Sequence, residues 1–130
     1  MAEETSLSQL REHLKDPDLK QSFFREIKND FNIREAGTMS VITCMIENII
    51  ILERMNDWCV PKTLYTRANV KTSLNLFYYH VIPKLITIGF LEMKMYVSPS
   101  GEHKRVVRMS EDFVAEKLCP IMKRLNEKES

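Results

Sequence analysis

The sequence predicts a small, mainly α-helical protein that carries one β-hairpin, which is an α+β fold. Apolar residues recur every three or four positions near both ends of the 130-residue chain, and this is the period of an amphipathic helix. Between residues 91 and 109 they alternate instead, on either side of a Ser-Pro-Ser-Gly turn, and alternation around a turn is typical of a hairpin. The hydrophobic fraction of 44% is sufficient for a packed core.

Two amphipathic helices are predicted in an N-terminal extension, residues 1–38. The first has leucines at helical spacing, and the second begins after Asp16 as N-cap with Pro17 at its first position. Their apolar stripes need a surface to pack against, either the rest of the domain or a partner protein. We therefore divide the chain into this extension and a domain of residues 39–130. The two stripes consist of Leu7, Leu10, Leu14, Leu19, Phe23, Ile27 and Phe31.

A third helix is predicted from about residue 38 to residue 57. Its apolar residues cover more than one side, and a small monomeric domain rarely surrounds one helix completely. We therefore expect part of this surface, through Ile42, Ile46 and Ile49, to face a second copy of the chain.

The next segment predicts a short extended piece at 58–60, a brief helix from Pro61 to Arg67, a turn at 68–70 and then a longer helix. Gly89 is expected to end that helix as its C-cap. Pro83 lies inside it and predicts either a kink or two helical pieces, and the first residue of the helix stays open. The apolar stripe of this helix is Leu74, Phe77, Tyr78, Val81, Ile82, Leu85 and Ile88.

A β-hairpin follows, with one strand at 91–97 and the returning strand at 105–109. Leu91, Met93, Met95 and Val97 belong to one face of the first strand. A last helix is predicted after Ser110, with an apolar seam at coiled-coil spacing. We expect this seam to pair with a second copy, through Val114, Leu118, Ile121 and Leu125.

Positive charge is concentrated in the middle of the chain. Residues 58–109 contain eight lysines and arginines against two acidic residues, although the formal net charge of the whole chain is only +1. Such asymmetry indicates a polyanionic partner, and its alternative is a solvated basic face without a partner.

The order of helix, short strand, short helix, turn, longer helix and hairpin is typical of the winged helix-turn-helix. In that fold the longer helix enters the major groove of DNA, and the hairpin, or wing, reaches toward phosphates or the minor groove. Lys104 and Arg105 would then contact phosphates from the wing tip. Lys62, Arg67 and Lys71 would contact phosphates near the N-terminus of the longer helix.

The stretches "RANV", "LITIGFLE" and "RMSEDF" resemble those of archaeal winged helix-turn-helix DNA-binding proteins. They are similar to the PadR-like regulators and to the crenarchaeal plasmid-segregation proteins of the AspA type. The resemblance covers residues 39–128, and it implies a homodimer joined through the first and last helices of the domain. It implies base-reading positions at Thr72, Ser73, Asn75, Leu76 and Tyr79.

Each of these positions has a simpler interpretation as a solvent-facing helix residue. Tyr79 is equally compatible with a phosphate contact or with packing, and Arg67 with an ion pair to Glu92 or Asp57. His80 is interpreted as a partly buried helix residue and His103 as an exposed turn residue.

Several classes of site are excluded. Cys44, Cys59 and Cys119 are too far apart in sequence for a disulfide framework or a zinc motif, so we expect reduced thiols and no metal. No Gly-rich phosphate loop or nucleophile motif occurs, so neither an enzyme nor a cofactor is predicted. The longest apolar stretch, 41–52, is too short to span a bilayer, and the acidic N-terminus does not resemble a signal peptide. We expect a soluble, cytoplasmic, nucleoid-associated protein.

The leading hypothesis is a homodimer that binds a palindromic site in double-stranded DNA as a transcriptional regulator. An alternative is a centromere-binding partition protein for plasmid segregation, which would spread along DNA. A third hypothesis, from a different class, is a winged-helix protein-interaction module, since folds are reused and residues 1–38 have apolar stripes to cover.

Overall fold

The computed structural model describes residues 2–52 and 58–129, with side chains for 7–52 and 58–128. It is mainly helical and has one two-stranded antiparallel hairpin, which confirms the predicted α+β class. In the part of the chain that is described, no helix has both the length and the apolar character needed to cross a bilayer.

The described helical elements are α-helical pieces and three π-helical turns, and five of the α-helical pieces adjoin a π turn. In chain order the elements are α1 (Ala2–Lys15), α2 (Pro17–Asp30), α3 (Ala36–Met45), π1 (Ile46–Ile50), α4 (Pro61–Arg67), α5 (Leu74–Leu76), π2 (Phe77–Val81), α6 (Ile82–Ile88), β1 (Leu91–Val97), β2 (His103–Met109), α7 (Glu111–Phe113), π3 (Val114–Leu118) and α8 (Cys119–Glu129). The third predicted helix thus begins two residues before residue 38, and its predicted last turn at 53–57 lies outside the described residues.

The chain forms two compact units, a terminal unit and a central unit. The terminal unit contains the residues up to Glu35 together with those from Glu111 onward, and the central unit is Ala36–Ser110. The division differs from the predicted one at both ends. The N-terminal helices are not an appendage, because they share a unit with the C-terminal helix.

In the terminal unit, α1 and α2 pack against the C-terminal helix, which runs through α7, π3 and α8. Polar contacts hold the same surfaces together. The Arg124 guanidinium lies 3.0 Å from the Glu26 carboxylate and 3.1 Å from that of Asp30, and buried His13 is hydrogen-bonded through Nδ1 to Asn126 Oδ1 at 3.1 Å. The buried core includes Leu10, Leu14, Phe23, Ile27, Val114, Leu118, Ile121 and Leu125.

This packing changes the interpretation of the coiled-coil seam. All four seam residues predicted to meet a second copy, Val114, Leu118, Ile121 and Leu125, are buried within one chain. The N-terminal helices α1 and α2 supply the apolar surface against which the seam packs. The seam therefore presents no open face to a partner.

The same correction applies to the helix that opens the central unit. Ile42, Ile46 and Ile49, also predicted to face a second copy, are buried within the chain, and α3 packs against π2. The Asn48 amide donates hydrogen bonds of 2.9 Å to the carbonyl oxygens of Cys44 and Ala68. The bond to Ala68 ties π1 to the turn after α4.

Proline explains two of the π-helical turns. Pro83 and Pro120 each come two residues after a π turn, π2 and π3 respectively. Proline lacks an N–H and its ring collides with the carbonyl one turn earlier, so a wider turn before it relieves the collision. The Ile82 N–H, for example, bonds to the Phe77 carbonyl five residues back. Pro83 was predicted to cause either a kink or a division into two helical pieces. The helix instead runs without a gap from residue 74 to residue 88 and contains a π turn before the proline.

Local capping chemistry follows the sequence closely. The Asp16 carboxylate accepts hydrogen bonds from the N–H groups of Asp18 and Leu19, and Pro17 takes the first position of α2. Gly89 ends the 74–88 helix in a left-handed conformation, with φ at 98°. Both predicted caps are confirmed.

The hairpin pairs β1 with β2 in antiparallel register, with Leu91 opposite Met109 at the base and Val97 opposite His103 at the far end. β2 begins two residues earlier than predicted. Cys59, in the predicted extended piece, forms an isolated antiparallel β-bridge with Val107 of β2. Only the base is packed, because residues 93–97 and 103–105 are exposed.

Candidate nucleic-acid interface

The helix expected to read DNA begins at Leu74, with Ser73 as its N-cap. The Ser73 hydroxyl oxygen accepts a hydrogen bond from the Leu76 N–H at 3.2 Å, which satisfies one of the free N–H groups of the first turn. This settles the start of the helix. Ser73, predicted to contact bases, is exposed, but its hydroxyl already has this capping role.

Three of the other predicted base-reading residues are exposed, and the fourth is half-buried. Asn75, Leu76 and Tyr79 are exposed, Tyr79 to 70%. Thr72 differs, because its hydroxyl oxygen is buried without a hydrogen-bond partner and its carbonyl accepts a 2.6 Å bond from the Tyr65 hydroxyl. The Thr72 carbonyl thus anchors the segment before the helix to Tyr65, and the Thr72 hydroxyl is not exposed to solvent.

The structure exposes one helix residue that the sequence placed inward. Leu74 was assigned to the buried stripe, yet it is 36% exposed. The π turn adds a residue to the turn that follows, so the residues before it are rotated relative to the residues after it. A stripe drawn with uniform helical spacing therefore fails in the first turn, and only the proline two residues beyond the π turn could have signalled this.

Four of the predicted phosphate contacts are exposed cations. Lys62 lies in the first turn of α4, Lys71 lies just before the 74–88 helix, and Lys104 and Arg105 lie near the hairpin tip. Among the residues that the structure describes, no carboxylate forms an ion pair with any of the four. The uncompensated charge thus borders the helix at one end and occupies the hairpin.

Arg67, the fifth predicted phosphate contact, behaves differently. It is half-buried and engaged in an interaction within the protein. Glu92, one of its two predicted partners, forms an ion pair with Arg108, whose guanidinium lies 2.6 Å from the Glu92 carboxylate. Asp57, its other predicted partner, lies outside the described residues.

Two further cations of the hairpin serve its own packing. The Lys94 ammonium and the Arg108 guanidinium each lie 4.5 Å from the centre of the Trp58 ring, a distance typical of cation–π contacts. Arg108 is also paired with Glu92. These contacts fix one face of the hairpin base, and they were not predicted from the sequence because Trp58 precedes the hairpin by more than thirty residues in the chain.

The tip is held by backbone hydrogen bonds and by the Ser98 hydroxyl, whose oxygen accepts a hydrogen bond from the Glu102 N–H at 3.1 Å. The Ser98 N–H donates to the Glu102 carbonyl at 2.8 Å, and the Gly101 N–H donates to the Ser98 carbonyl at 2.9 Å. Gly101 has φ at 89°, a conformation that side chains disfavour. In the register of the strands Lys104 is opposite Tyr96 and Arg105 is opposite Met95, so the two basic side chains lie on opposite faces.

The histidines follow their predicted placement only in part. His103 is exposed at the start of β2, and His80 is exposed as well, although it was interpreted as partly buried. Among the described residues, no group of three or more His, Cys, Asp or Glu side chains is arranged to hold a metal ion.

No family model, curated protein or solved structure matches this chain.

Proposed function

We propose that the central unit is a winged helix-turn-helix domain that binds double-stranded DNA. The observation that carries the proposal is a set of exposed, uncompensated cations in this unit. Lys71 lies just before a helix whose first turns expose Asn75 and Tyr79, and Lys104 and Arg105 lie near the hairpin tip. Lysine and arginine bind phosphates without regard to sequence. An exposed asparagine on a helix in the major groove pairs bidentately with adenine. The arrangement thus combines affinity with a means of selectivity.

The proposed role is that of a site-specific DNA-binding protein, such as a transcriptional regulator, in the cytoplasm and associated with the nucleoid. The homodimer expected from the two apolar surfaces is not part of the proposal, because those side chains are buried in one chain. The described part of one chain offers one recognition helix and one hairpin, so the simplest site is an asymmetric one without a palindromic repeat.

The test is the salt dependence of binding to a fluorescent duplex of roughly 20 base pairs, about two helical turns. The logarithm of the binding constant should fall linearly with the logarithm of salt concentration, with a slope of about −0.9 for each phosphate contact. Replacing both hairpin cations, Lys104→Ala with Arg105→Ala, should weaken binding to every duplex and reduce the slope by about two.

The matched control removes the same charge elsewhere. Lys117 and Lys123 are exposed cations of the terminal unit, and the variant Lys117→Ala with Lys123→Ala should keep the slope of the parent protein. If the two double variants reduce binding equally, the hairpin has no special part in it. If the parent protein shows no salt-dependent binding to duplex DNA, the proposed function is wrong.

Asn75→Ala tests selectivity separately from affinity. Once a preferred sequence has been selected from a random-duplex pool, loss of a bidentate contact should reduce discrimination at one base pair by about 1–3 kcal/mol. Binding to unrelated duplexes should change little. The length of the protected region distinguishes a regulator from a partition protein, because spreading would extend the footprint as protein concentration rises.

A second candidate function, a protein-interaction module, is favoured by one observation. The outer part of β1 exposes the apolar side chains of Met93, Met95 and Val97, and exposed apolar patches mark interaction surfaces. A protein partner held by such a surface would bind with weak salt dependence. The salt titration described above therefore separates the two functions.

A further inference from the structure

The first strand of the hairpin has an exposed apolar face and an open edge. Met93, Met95 and Val97 are 42%, 55% and 54% exposed, and because they alternate along β1 they lie on one face of it. Among the described residues, β2 is the only strand that pairs with β1. The described part of the chain therefore leaves the other side of β1 without a neighbouring strand.

The backbone of these three residues points toward the open edge. On β2, the Val107 N–H and carbonyl both bond to Cys59 and so face away from β1. At the tip, the Ser98 N–H bonds to the Glu102 carbonyl, so this pair is a hydrogen-bonded one. Hydrogen-bonded and non-hydrogen-bonded pairs alternate along an antiparallel ladder, so the even-numbered residues of β1 bond to β2. The odd-numbered residues direct their N–H and carbonyl groups outward.

The edge of β1 lacks the features that normally protect an edge strand. Proline, a bulge or an outward lysine prevents such a strand from pairing with another. β1 has no proline, and its seven residues pair one-to-one with β2, without a bulge. Its lysine, Lys94, belongs to the other face and lies over the Trp58 ring. The edge is therefore available to a further strand.

The sequence of β1 is complementary to itself when two copies run antiparallel about Met95. In this register Met95 is opposite the partner's Met95, and Met93 is opposite the partner's Val97. The exposed apolar side chains of both copies then lie on one face, and the outward N–H and carbonyl groups form three hydrogen-bonded pairs. On the other face Lys94 is opposite the partner's Tyr96, so no like charges meet.

The neighbouring registers are less favourable. Centring the pair on Lys94 would place two lysines opposite each other in a non-hydrogen-bonded pair, whose Cα atoms are about 4.5 Å apart, and like charges directly opposite are destabilising. Centring it on Met93 would place Val97 opposite the partner's Gly89, which lies beyond the strand. The match about Met95 avoids both faults.

Electrostatic repulsion between two copies is small in this arrangement. The formal net charge of the chain is only +1. Arg105 shares the apolar face but lies on β2, opposite Met95. The two copies of Arg105 would therefore be separated by three strand spacings, about 14 Å, which exceeds the Debye length of about 8 Å at physiological ionic strength.

We propose that two copies of the chain associate through β1, in antiparallel register about Met95, and so form a continuous four-stranded sheet. This surface differs from the two apolar surfaces that the sequence assigned to a second copy, because those are buried within one chain. The proposal does not depend on DNA binding.

The association is weak because the paired segments are short. Stable complexes bury about 1,200–2,000 Å², and smaller interfaces belong to transient complexes. We expect a dissociation constant on the order of 1 mM. At the micromolar concentrations that suit unfolding and DNA-binding experiments, the chain is therefore monomeric.

A disulfide trap tests the register. The Cα atoms of the two copies of residue 95 would lie about 5.5 Å apart, a distance that a disulfide bond spans. The full-length variant Met95→Cys, held in a glutathione redox buffer at about 0.1 mM, a tenth of the expected dissociation constant, should form a covalent dimer. Peptide mass spectrometry should locate the bond at residue 95. The parent protein, with its three free cysteines, gives the background.

The matched controls use the same chemistry at other positions of the strand. Met93→Cys should not cross-link to itself, because the two copies of residue 93 would be offset by four residues, about 13 Å. Val97→Cys should not do so for the same reason. A mixture of these two variants should cross-link as a heterodimer, because residue 93 is opposite the partner's residue 97.

Sedimentation equilibrium measures the association without a cross-link. At about 1 mM protein, a dissociation constant of about 1 mM places half of the chains in dimers, so the weight-average mass should be about one and a half times that of one chain. Met95→Lys would place two ammonium groups opposite each other and should weaken the association at least about tenfold. The matched control His103→Lys adds the same charge to the same face on β2, away from the edge, and should change the dissociation constant less than about twofold because of screening.

The other outcomes overturn the proposal. If the parent is monomeric at about 1 mM and Met95→Cys does not cross-link above the background, the edge belongs to a partner other than a second copy. If the parent dimerises and Met95→Lys does not weaken the dimer, the copies associate through another surface. If Met93→Cys cross-links to itself as efficiently as Met95→Cys, the register is wrong.

Discussion

Replacement of Leu118 by alanine tests whether the seam of the C-terminal helix is covered within one chain. The Leu118 side chain is fully buried, with 0% of its surface exposed, and it belongs to the π3 turn, against which α1 packs. Truncation of such a leucine removes its burial and leaves a cavity, which together cost about 2–5 kcal/mol. Since domains of this size are stable by about 5–15 kcal/mol, the loss would be large.

The assay is urea unfolding followed by circular dichroism. With a slope of about 1–3 kcal/mol per molar urea, a loss of about 3 kcal/mol would lower the midpoint by about 1–3 M. The matched control is Glu116→Ala in the same turn, whose exposed side chain should contribute no more than about 0.5 kcal/mol.

The dependence of the urea midpoint on protein concentration shows whether the seam is covered within one chain or by a second copy. If the N-terminal helices cover the seam, the midpoints of the parent and of Leu118→Ala should both be independent of concentration over about a hundredfold range, because unfolding does not change the number of molecules. A parent midpoint that rises with concentration, and a Leu118→Ala midpoint that no longer does, would refute the intrachain packing described for this seam.

Three further predictions concern Asn48, the pair of glycines Gly101 and Gly37, and Cys119. Asn48→Ala removes two hydrogen bonds and deprives two backbone carbonyls of this donor, so the free energy of unfolding should fall by about 1–3 kcal/mol in urea titrations; an unchanged midpoint would show that water replaces both bonds. Gly101→Ala should cost about 1–2 kcal/mol because of its φ of 89° alone, since no atom lies within 4 Å of the added Cβ. Gly37→Ala, whose added Cβ would lie 3.7 Å from Leu76 Cδ2, should instead be neutral or stabilising by up to about 1 kcal/mol in α3, and equal losses in the two variants would contradict this reasoning. Burial raises the pKa of the Cys119 thiol, so its alkylation by iodoacetamide at pH 8, followed by mass spectrometry, should be slower than that of free cysteine and should accelerate as the pH rises toward the raised pKa; labelling at the rate of free cysteine would show that the thiol is accessible and ionised.

Features that depend on neighbouring residues could be predicted from the sequence. The Asp16-Pro17 pair defines the start of α2, and Gly89 defines the end of the 74–88 helix, because a cap needs only its own side chain or conformational freedom and the adjacent turn. The hairpin follows for the same reason, since its turn residues and its alternation are contiguous in the chain.

Features that depend on a shift within a helix were only partly predictable. Pro83 indicated a disturbance but did not choose between a kink and two helical pieces. The helix accommodates the proline with a π turn. This turn leaves Phe77 and Val81 buried and Leu74 exposed, and which side chains are buried depends on tertiary packing. The candidate interface changed accordingly, because Leu74 joins the exposed residues of the helix and the Thr72 hydroxyl leaves them.

The sequence by itself determined which residues are apolar, how they are spaced and where positive charge accumulates. Only the tertiary structure decided what covers each apolar surface. The seam of the C-terminal helix is covered by the N-terminal helices of the same chain, whereas Met93, Met95 and Val97 of the hairpin stay exposed. The reason is that hydrophobic attraction is proportional to area and has no direction, so a periodic stripe specifies that a surface must be buried, while contacts between distant parts of the chain select the surface that buries it.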